Sequence, residues 1–563
     1  MKVKRNRKLS VVIIVLFLIA VVACAGYFHR KAHADDPSVT AARLSEVYPA
    51  SDGCCAVVAN GVLSKISARW YEGAAYLPLS VVIDEIDEGF YWSSVEGKLY
   101  HNTFEKTEPV VKTSSGGILY FVDGDAATAE DDHIYVSVDY IAQVSDIYAD
   151  TYTDTPRVFI RNKFGTCVYG RTLEGAVIRT AEDIKADVLA TPSAGTELWI
   201  IEENYGWYLV YAAGEYGQVG YIRDTDVANI SRREVSGPNP ASEAPHIRLD
   251  GDIVLAWQQT FTSSGYDGLP AHIERATGLS VIAPTWFSII DTEGTISSRT
   301  SAEYVEKAHE AGLQVWVLVE NINTTESIDY QQLFGSSATR SAMISQLVSE
   351  TTECGADGIN VDVEGLPSAA GDDYIQFLRE LTIACHKEGL SVSVDNYVPS
   401  AWTSHYHRDT QAEFIDYFII MAYDEHYNGS EAGSTSSISF VDSGIADTIA
   451  AGVPADMIIV GLPFYSRLWK GDGSTLSSET ISMDDMKALL EDTSVTSVWD
   501  SECAQYYVYF SENELYRCWI ENYDSLAAKL DAAANYDVAG IAGWKLGMDN
   551  SEAWQAIGEY LEK

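Results

Sequence analysis

The stretch of sequence that decides the fold is residues 357–364, DGINVDVE. Successive side chains of a β-strand point to opposite faces, so Asn360, Asp362 and Glu364 share one face and apolar residues the other. Carboxyl groups spaced i, i+2 lie roughly 6–7 Å apart at Cα, and like charges that close raise one of the two pKa values. We therefore predict that Glu364 stays protonated at neutral pH and acts as a general acid. A solvated strand end is disfavoured, since buried acids are costly unless paired or functional.

The flanking sequence predicts the sheet that holds this strand. From Asp252 onward, short apolar runs alternate with helical patterns such as Ala302–Ala311 and Tyr374–Glu388. The eight predicted strands are Ile253–Trp257, Leu279–Ala283, Gln314–Val319, Gly358–Glu364, Leu390–Asn396, Phe418–Tyr423, Met457–Pro463 and Val538–Trp544. Eight strand–helix alternations favour an α/β fold, a closed (β/α)8 TIM barrel over residues 252–563. Catalytic groups of such barrels lie at the C-terminal ends of the strands, where these acids are found.

Four motifs together resemble glycoside hydrolase family 18, the chitinase-like hydrolases. The matching segments are residues 357–364 for D-x-x-D-x-D-x-E on strand four, 421–424 for M-x-Y-D on strand six, 461–467 for G-x-P-x-Y-x-R on strand seven, and Gly543-Trp544 for the floor tryptophan of strand eight. Asp357 and Gly358 open the first motif, and we expect structural roles for them.

The resemblance implies a substrate-assisted, retaining mechanism that uses no metal or cofactor. Glu364 would protonate the leaving glycosidic oxygen and later deprotonate the attacking water. Asp362 would accept a hydrogen bond from the substrate's acetamido N–H. Tyr423 would donate to the acetamido oxygen that attacks the anomeric carbon, while Asp424 and Asn360 would orient their neighbours.

Four further residues are candidates for substrate binding. The resemblance implies that Trp544 stacks beneath the sugar at the cleavage site, with a place in the barrel core as the alternative. Trp286 and Trp469 could line the groove, although tryptophans at such positions are more often packing residues. Arg467 could pair with Asp424 or contact the sugar.

Asn360 departs from the family pattern, because chitinases usually carry Asp at this position. Asn cannot share a proton with Asp362, but it can hydrogen-bond it. The pattern N-x-D-x-E is similar to that of bacterial spore-cortex and wall-fragment N-acetylglucosaminidases, which favours peptidoglycan as the substrate. Two alternatives stay open: a chitinase or endo-N-acetylglucosaminidase acting on chitin or N-glycans, and a carbohydrate-binding barrel with weak catalysis.

Residues 466–537, between predicted strands seven and eight, are longer than a usual β/α connection and contain three strand-like runs. They resemble the small α+β insertion that forms one wall of the groove in some family members. Cys503 and Cys518 flank a predicted hairpin there and could form a disulfide. The chain has no C-x-x-C pair and no His/Cys cluster, so a zinc site is not indicated.

Two smaller modules are predicted before the barrel. Residues 35–164 contain a weak repeat of strand, short helix and strand, and resemble the α+β module at the N-terminus of copper amine oxidases. Residues 165–231 contain short alternating strands and resemble the small β-barrel of the bacterial SH3-like domain. A linker with three prolines covers 232–251. We expect these modules to act as spacers or wall contacts.

The charge of the chain is distributed unevenly. Residues 1–34 hold seven basic residues and no acidic one, so the remaining chain carries 30 basic residues against all 82 acidic ones, a net charge of −52. A body this acidic is repelled by phosphate backbones, which excludes nucleic-acid binding.

Residues 9–28 form an uncharged apolar run behind a basic N-terminus, long enough to span a bilayer. Three outcomes fit this segment: an uncleaved signal anchor, a lipoprotein with Cys24 lipidated, or cleavage after Ala34. All three place residues 35–563 outside the cytoplasm, at a bacterial surface or released from it. The expected partner is an N-acetylglucosamine-containing polysaccharide, and we expect a monomer.

Overall fold

The computed structural model describes residues 40–563 apart from residues 116, 125, 127–128, 241–243, 261–265, 325–326, 472–475, 493 and 512–513. The predicted leader at residues 1–34, with its apolar run at 9–28, lies outside the described residues. Across the part of the chain that is described, no helix is long and apolar enough to cross a membrane.

Strands and helices are numbered in chain order. The strands are β1 (Cys54–Ala59), β2 (Val62–Tyr71), β3 (Ala74–Pro78), β4 (Phe90–Ser93), β5 (Lys98–Asn102), β6 (Thr107–Pro109), β7 (Thr113–Ser114), β8 (Gly117–Ile118), β9 (Tyr120–Val122), β10 (Ile134–Ser137), β11 (Tyr148–Tyr152), β12 (Arg157–Arg161), β13 (Gly165–Thr172), β14 (Ile178–Arg179), β15 (Val188–Ala190), β16 (Glu197–Asn204), β17 (Trp207–Ala212), β18 (Gln218–Arg223), β19 (Val227–Val235), β20 (Ile253–Gln258), β21 (Val281–Ile289), β22 (Ile296–Ser297), β23 (Gln314–Glu320), β24 (Gly358–Asp362), β25 (Ser391–Tyr397), β26 (Tyr417–Met421), β27 (Ile458–Pro463), β28 (Tyr465–Lys470), β29 (Ser477–Ser482), β30 (Thr496–Asp500), β31 (Gln505–Ser511), β32 (Leu515–Ile520) and β33 (Gly540–Trp544). The α-helices are α1 (Leu44–Val47), α2 (Leu79–Glu85), α3 (Val138–Val144), α4 (Leu269–Arg275), α5 (Ala302–Glu310), α6 (Tyr330–Gly335), α7 (Ser337–Cys354), α8 (Gly371–Glu388), α9 (Arg408–Ala412), α10 (Ile438–Ala450), α11 (Met483–Glu491), α12 (Tyr523–Ala533) and α13 (Ser551–Leu561).

The chain divides into two compact units. The first runs to Phe90 and resumes over Val110–Ala241, and the second contains Tyr91–Pro109 and Ser242–Lys563. The first unit holds two seven-stranded sheets, in the orders β11-β12-β1-β2-β3-β10-β9 and β15-β14-β18-β17-β16-β13-β19.

The two copies of the predicted repeat differ in the sheet that their last strand joins. β3 followed by α2, and β10 followed by α3, form the matching halves, and β3 pairs antiparallel with β10. The closing strand of the second copy, β12, lies in the same sheet, whereas that of the first copy, β5, lies in a separate sheet β4-β5-β6. Residues 35–164 are therefore not one continuous module, because Tyr91–Pro109 packs with the second unit.

The second unit is built on a closed barrel of eight parallel strands. Their order is β20-β33-β27-β26-β25-β24-β23-β21, and β20 pairs with β21 to close the ring. All eight predicted strands are present, and the predicted (β/α)8 barrel is confirmed. The second strand differs most from its expected bounds, since β21 continues to Ile289 and then pairs with β22.

Two apolar layers enclose the wall of the barrel. The inner layer includes Leu255, Trp316 and Leu318. The outer layer, between strands and helices, includes Ile359 and Val361 of β24 and packs against α7 and α8. The alternation predicted for residues 359–364 is therefore correct: the apolar side chains face the helices, and the polar ones between them face the lumen.

We call Tyr91–Pro109 the strap, because it packs on the helices outside the barrel. The Tyr91 hydroxyl donates to the carboxylate of Asp373 on α8. Within the same contact, the side-chain amides of Asn102 and Gln376 donate to each other, with N···O distances of 2.8 and 2.9 Å. The barrel unit thus uses buried polar contacts from a segment more than 200 residues earlier in the chain.

In the region of the predicted insertion the structure has a five-stranded sheet, β29-β28-β32-β31-β30, with α11 beside it. The disulfide considered for this region does not form: Cys503 and Cys518 are both free, as are the other five cysteines among the described residues. Cys518 lies on β32 opposite Val508 of β31, and Cys503 precedes β31, too far along the hairpin to reach it.

Candidate active site

Asn360 lies at the centre of the barrel and is fully buried. Its Oδ1 accepts a hydrogen bond from Trp257 Nε1 of β20, 2.8 Å away. Its Nδ2 donates to Ser393 Oγ at 3.0 Å and to Asp395 Oδ1 at 2.8 Å, both on β25. The hydrogen bond that Asn360 could have made to Asp362 is absent among the described contacts, because the neighbouring strand supplies the acceptors.

Asp357 and Gly358 occupy the opposite end of β24 from the acids. Asp357 Oδ2 accepts from the backbone N–H of Val315 at 2.8 Å and lies 2.8 Å from His309 Nε2. A Cβ added at Gly358 would come within 2.8 Å of the Trp316 ring, so glycine lets that ring cross the floor of the barrel. Both residues fit the structural roles that we expected of them.

Glu364 lies half-buried just beyond the C-terminal end of β24. Its Oε2 accepts from the Tyr397 hydroxyl at 2.8 Å, and its backbone N–H and C=O are both bound by the side chain of Asn321, at 2.9 and 2.7 Å. Burial raises the pKa of its carboxyl group, and the charges of Asp424 and Glu320 add to the rise against the hydrogen bond from Tyr397. The direction agrees with our expectation, but burial is the main cause.

Asp362 is 5% exposed, and its Oδ1 has no hydrogen-bond partner among the described residues. Burial raises its pKa far above the usual range, and the charges of Asp395, Glu364 and Glu320 raise it further. Asp395 is 3% exposed, and burial raises its pKa to about 8. We call Asp362, Asp395, Glu364 and Glu320 the acid cluster. Within the described ranges, no group of three or more His, Cys, Asp or Glu side chains is arranged to hold a metal ion.

The residues after β26 form the facing side of the mouth. Tyr423 is half-buried, and burial raises the pKa of its phenol far above the usual range, so it remains a hydrogen-bond donor. Asp424 has a left-handed backbone, with φ of 56°. Its Oδ1 accepts from the Tyr465 hydroxyl at 2.7 Å and from Arg467 Nη2 at 2.9 Å. Of the two roles considered for Arg467, the structure shows the pairing with Asp424.

The three candidate tryptophans lie in different places. Trp544 ends β33 half-buried, with its ring centroid 5.6 Å from that of Trp257 inside the barrel. Trp286 is fully buried in the outer layer, 5.2 Å from the Tyr304 ring of α5. Trp469 is fully buried on β28, and its Nε1 donates to the backbone carbonyl of Gly433, between β26 and α10, at 2.9 Å. Of the two alternatives considered for Trp286 and Trp469, the structure shows packing and not the groove, since both side chains are fully buried.

Four residues at the mouth were missed by the sequence reasoning: Asn321, Asp395, Tyr397 and Trp402. Residues 391–395, SVSVD, alternate polar and apolar side chains, a pattern that predicts an inward polar row on β25. Trp402 is 65% exposed, and its ring centroid lies 5.1 Å from that of Tyr397. No local pattern marks Asn321, whose role depends on a contact between neighbouring strands.

Comparison with known proteins places the barrel in a sequence family. A sequence profile of the glycosyl hydrolases family 18 matches residues 257–549. The uncharacterized glycosylase YvbX of Bacillus subtilis is 22% identical over 295 residues, which cover 50% of this chain and 84% of the relative. A cortical fragment-lytic enzyme of Bacillus subtilis is 23% identical over 237 residues, 40% of this chain, and the match spans about half of that relative (55%).

Solved structures show the same fold. The spore cortex-lytic enzyme SleL of Bacillus cereus superposes with a TM-score of 0.51 at 18% identity, over 62% of this chain and 78% of that one. A chitinase from Chromobacterium violaceum superposes with a TM-score of 0.50 at 20% identity, over 56% of this chain and 100% of that one.

Proposed function

The chain belongs to the glycosyl hydrolases of family 18 and is a glycosidase, and from that premise we propose that it cleaves N-acetylglucosaminyl β-1,4 bonds of peptidoglycan by substrate-assisted, retaining catalysis. The observation that carries the proposal is the half-buried carboxyl group of Glu364 at the mouth of the barrel. It lies near Asp362, whose Oδ1 accepts no hydrogen bond from the described residues.

Glu364 has the properties of a proton donor. Its raised pKa keeps a proton at a pH where an ordinary glutamic acid has lost it. The contacts from Tyr397 and Asn321 hold both the carboxyl group and the backbone of Glu364 in place. In the first step, Glu364 gives its proton to the leaving glycosidic oxygen.

Asp362 and Tyr423 would handle the substrate's own nucleophile. The unpartnered Oδ1 of Asp362 can accept the acetamido N–H, and the phenol of Tyr423 can donate to the acetamido oxygen. That oxygen attacks the anomeric carbon and forms an oxazolinium ion. Glu364 then removes a proton from water, which opens the intermediate with retention of configuration. Trp544 would form the floor beneath the sugar.

Asn360 in the strand-four motif supports peptidoglycan as the substrate, as do relatives named for cortical fragment lysis. The exposed Trp402 beside Tyr397 offers a further aromatic face for a sugar on the leaving-group side of Glu364. The second candidate substrate is chitin, because relatives named as chitinases share the same barrel.

The regions before the barrel would deliver the enzyme to its substrate. We propose that residues 1–34 export the chain and anchor it or are cleaved, and that the amine-oxidase-like and SH3-like regions of the first unit act as a spacer or wall contact. Deleting the SH3-like region alone, residues 165–231, keeps the strap on the barrel unit; it should leave release from soluble oligomers unchanged and lower retention on purified wall in a sedimentation assay. Unchanged retention would contradict the wall-contact role.

The substrate test measures new reducing ends released from purified peptidoglycan, chitin oligomers and a high-mannose glycoprotein. We expect release from peptidoglycan by the wild type and none by Glu364→Gln. Glu388→Gln, an exposed residue at the end of α8, is the matched control and should behave as wild type. Release from none of the three would contradict the catalytic proposal, and release only from chitin would shift the substrate.

A further inference from the structure

Three acidic residues lie side by side on consecutive strands of the barrel. Glu320 on β23 is in register with Asp362 on β24. Val361 is in register with Val394, so the next residues, Asp362 and Asp395, are neighbours on β24 and β25. Neighbouring strands are about 4.8 Å apart, and residues in register point to the same face. The two aspartates therefore adjoin inside the barrel.

The members of this row differ in their hydrogen-bond donors. The carboxylate of Glu320 accepts from the Ser288 hydroxyl, from the backbone N–H groups of Ile322 and Asn323, and from the side chain of Asn323. Asp362 and Asp395 have far fewer donors. Asn360 donates to Oδ1 of Asp395, whereas the buried Oδ1 of Asp362 has no partner in the part of the chain that the structure describes.

Two buried carboxyl groups at this separation cannot both carry a negative charge cheaply, and they titrate as a pair. We propose that Asp395 is a positioning residue that shares one proton with Asp362 and so sets the charge that Asp362 presents to the substrate. The inference rests on the proposed function. It identifies the acid that compensates for Asn360, and places it on the neighbouring strand.

The shared proton moves during the reaction without leaving the pair. In the free enzyme it lies between the two carboxyl groups. When positive charge develops on the oxazolinium ion, the proton moves fully to Asp395, and Asp362 becomes the carboxylate that faces that charge. The other titratable groups acting on the pair are Glu320 from β23, Glu364 from the end of β24, Tyr374 from α8, Tyr406 after β25 and Tyr423 after β26.

The kinetic test compares three variants of the full chain on the glycan that the wild type cleaves. Asp395→Asn should lower kcat about 100-fold, the order expected when an acid–base partner is lost, with little change in KM and an altered pH profile. Asn360→Asp in that background places a carboxyl group beside Asp362 again and should recover at least about tenfold of kcat. A wild-type kcat and pH profile in Asp395→Asn would overturn the proposal, as would no recovery in the double variant.

A second measurement needs no substrate. The folded-state pKa of Asp395 is raised to about 8 from an unfolded value of 3.8, so the folded chain binds an extra proton between those values. Its contribution to stability is therefore present at low pH and lost as pH rises through this window. The fall in Tm between pH 5 and pH 8.5 should be smaller in Asp395→Asn than in the wild type and in the exposed control Asp447→Asn.

An identical fall in Tm in all three proteins would overturn the shared proton, whatever the substrate proves to be. Inactivity of the wild type on every glycan would instead contradict the proposed function, while the Tm comparison would still decide whether Asp362 and Asp395 share a proton.

Discussion

The core of the insertion and the mouth of the barrel each hold a buried acid, and the two acids have opposite surroundings. Glu521 in the insertion accepts from the Lys529 ammonium, the Gln505 amide and the Ser525 hydroxyl, and both members of its ion pair are fully buried. Asp362 at the mouth has an oxygen with no partner among the described residues. A buried acid whose carboxyl oxygens all accept hydrogen bonds from the protein supports the fold. A buried acid with an oxygen that accepts none can accept a hydrogen bond from a ligand.

The largest expected effect tests the mouth. Glu364→Gln should lower kcat by about 10²–10⁴-fold, because the proton donor is lost while size and shape are kept. Its Tm should not fall, since a neutral amide replaces an acid whose ionisation burial disfavours. Steady-state kinetics and a thermal melt on the same preparation measure both. A drop in Tm of more than a few degrees would show that Glu364, like Glu521, supports the fold.

The next effect tests the insertion. Lys529→Met should destabilise the protein by about 3–5 kcal/mol, because it leaves Glu521 as an uncompensated buried charge. Lys529→Met combined with Glu521→Leu should lose less stability than the single variant, since no charge stays buried. Urea unfolding gives the free energies, and kcat of the folded single variant should remain close to wild type. Equal free energies of unfolding for wild type and Lys529→Met would show that the ion pair of Glu521 does not support the fold.

A smaller effect separates exposed from buried tryptophan. Trp402→Ala should raise KM about two- to tenfold, which corresponds to the loss of one aromatic contact with a sugar. Trp286→Phe should leave KM unchanged and lower stability, because Trp286 packs in the outer layer of the barrel. Kinetics on a defined oligosaccharide measures both KM values. An unchanged KM in Trp402→Ala would remove that residue from the groove.

The smallest effect concerns the excess of acidic over basic residues. The region after residue 34 has a net charge of −52, which repels an anionic wall. Raising salt screens that repulsion, so sedimentation with purified wall should increase about two- to threefold between 50 and 300 mM salt. A clear fall in binding with salt would show that attraction between charges dominates.

Much of the barrel could be predicted from the sequence, because each strand carries its own signal. Residues 359–364 alternate between apolar and polar side chains, and the structure puts the apolar ones against the helices and Asn360 inside the barrel. The insertion was equally predictable from the length of residues 466–537 and their strand-like runs. The strap was not, since nothing within Tyr91–Pro109 indicates that its partners are on α8.

The site was predictable where one strand carries it and unpredictable where several strands meet. Glu364 and Asp362 could be found from spacing alone. The positions of Asp395 and Asn321 depend on the register between neighbouring strands, which a single strand does not encode. The sequence left the places of Trp286 and Trp469 undecided for a related reason. A large aromatic residue after a strand fits a packed core as well as a groove, and only its burial in the structure distinguishes the two.

The strap also has a consequence for synthesis in the cell. Tyr91–Pro109 is made before the helices that it contacts, and about 230 residues separate Pro109 from the start of α7. At about 5–20 residues per second, the strap waits on the order of ten to forty seconds for its partners. During that interval the rings of Tyr91 and Tyr100 have no barrel to pack against, so this part of the chain can reach its final packing only after α7 and α8 have been made.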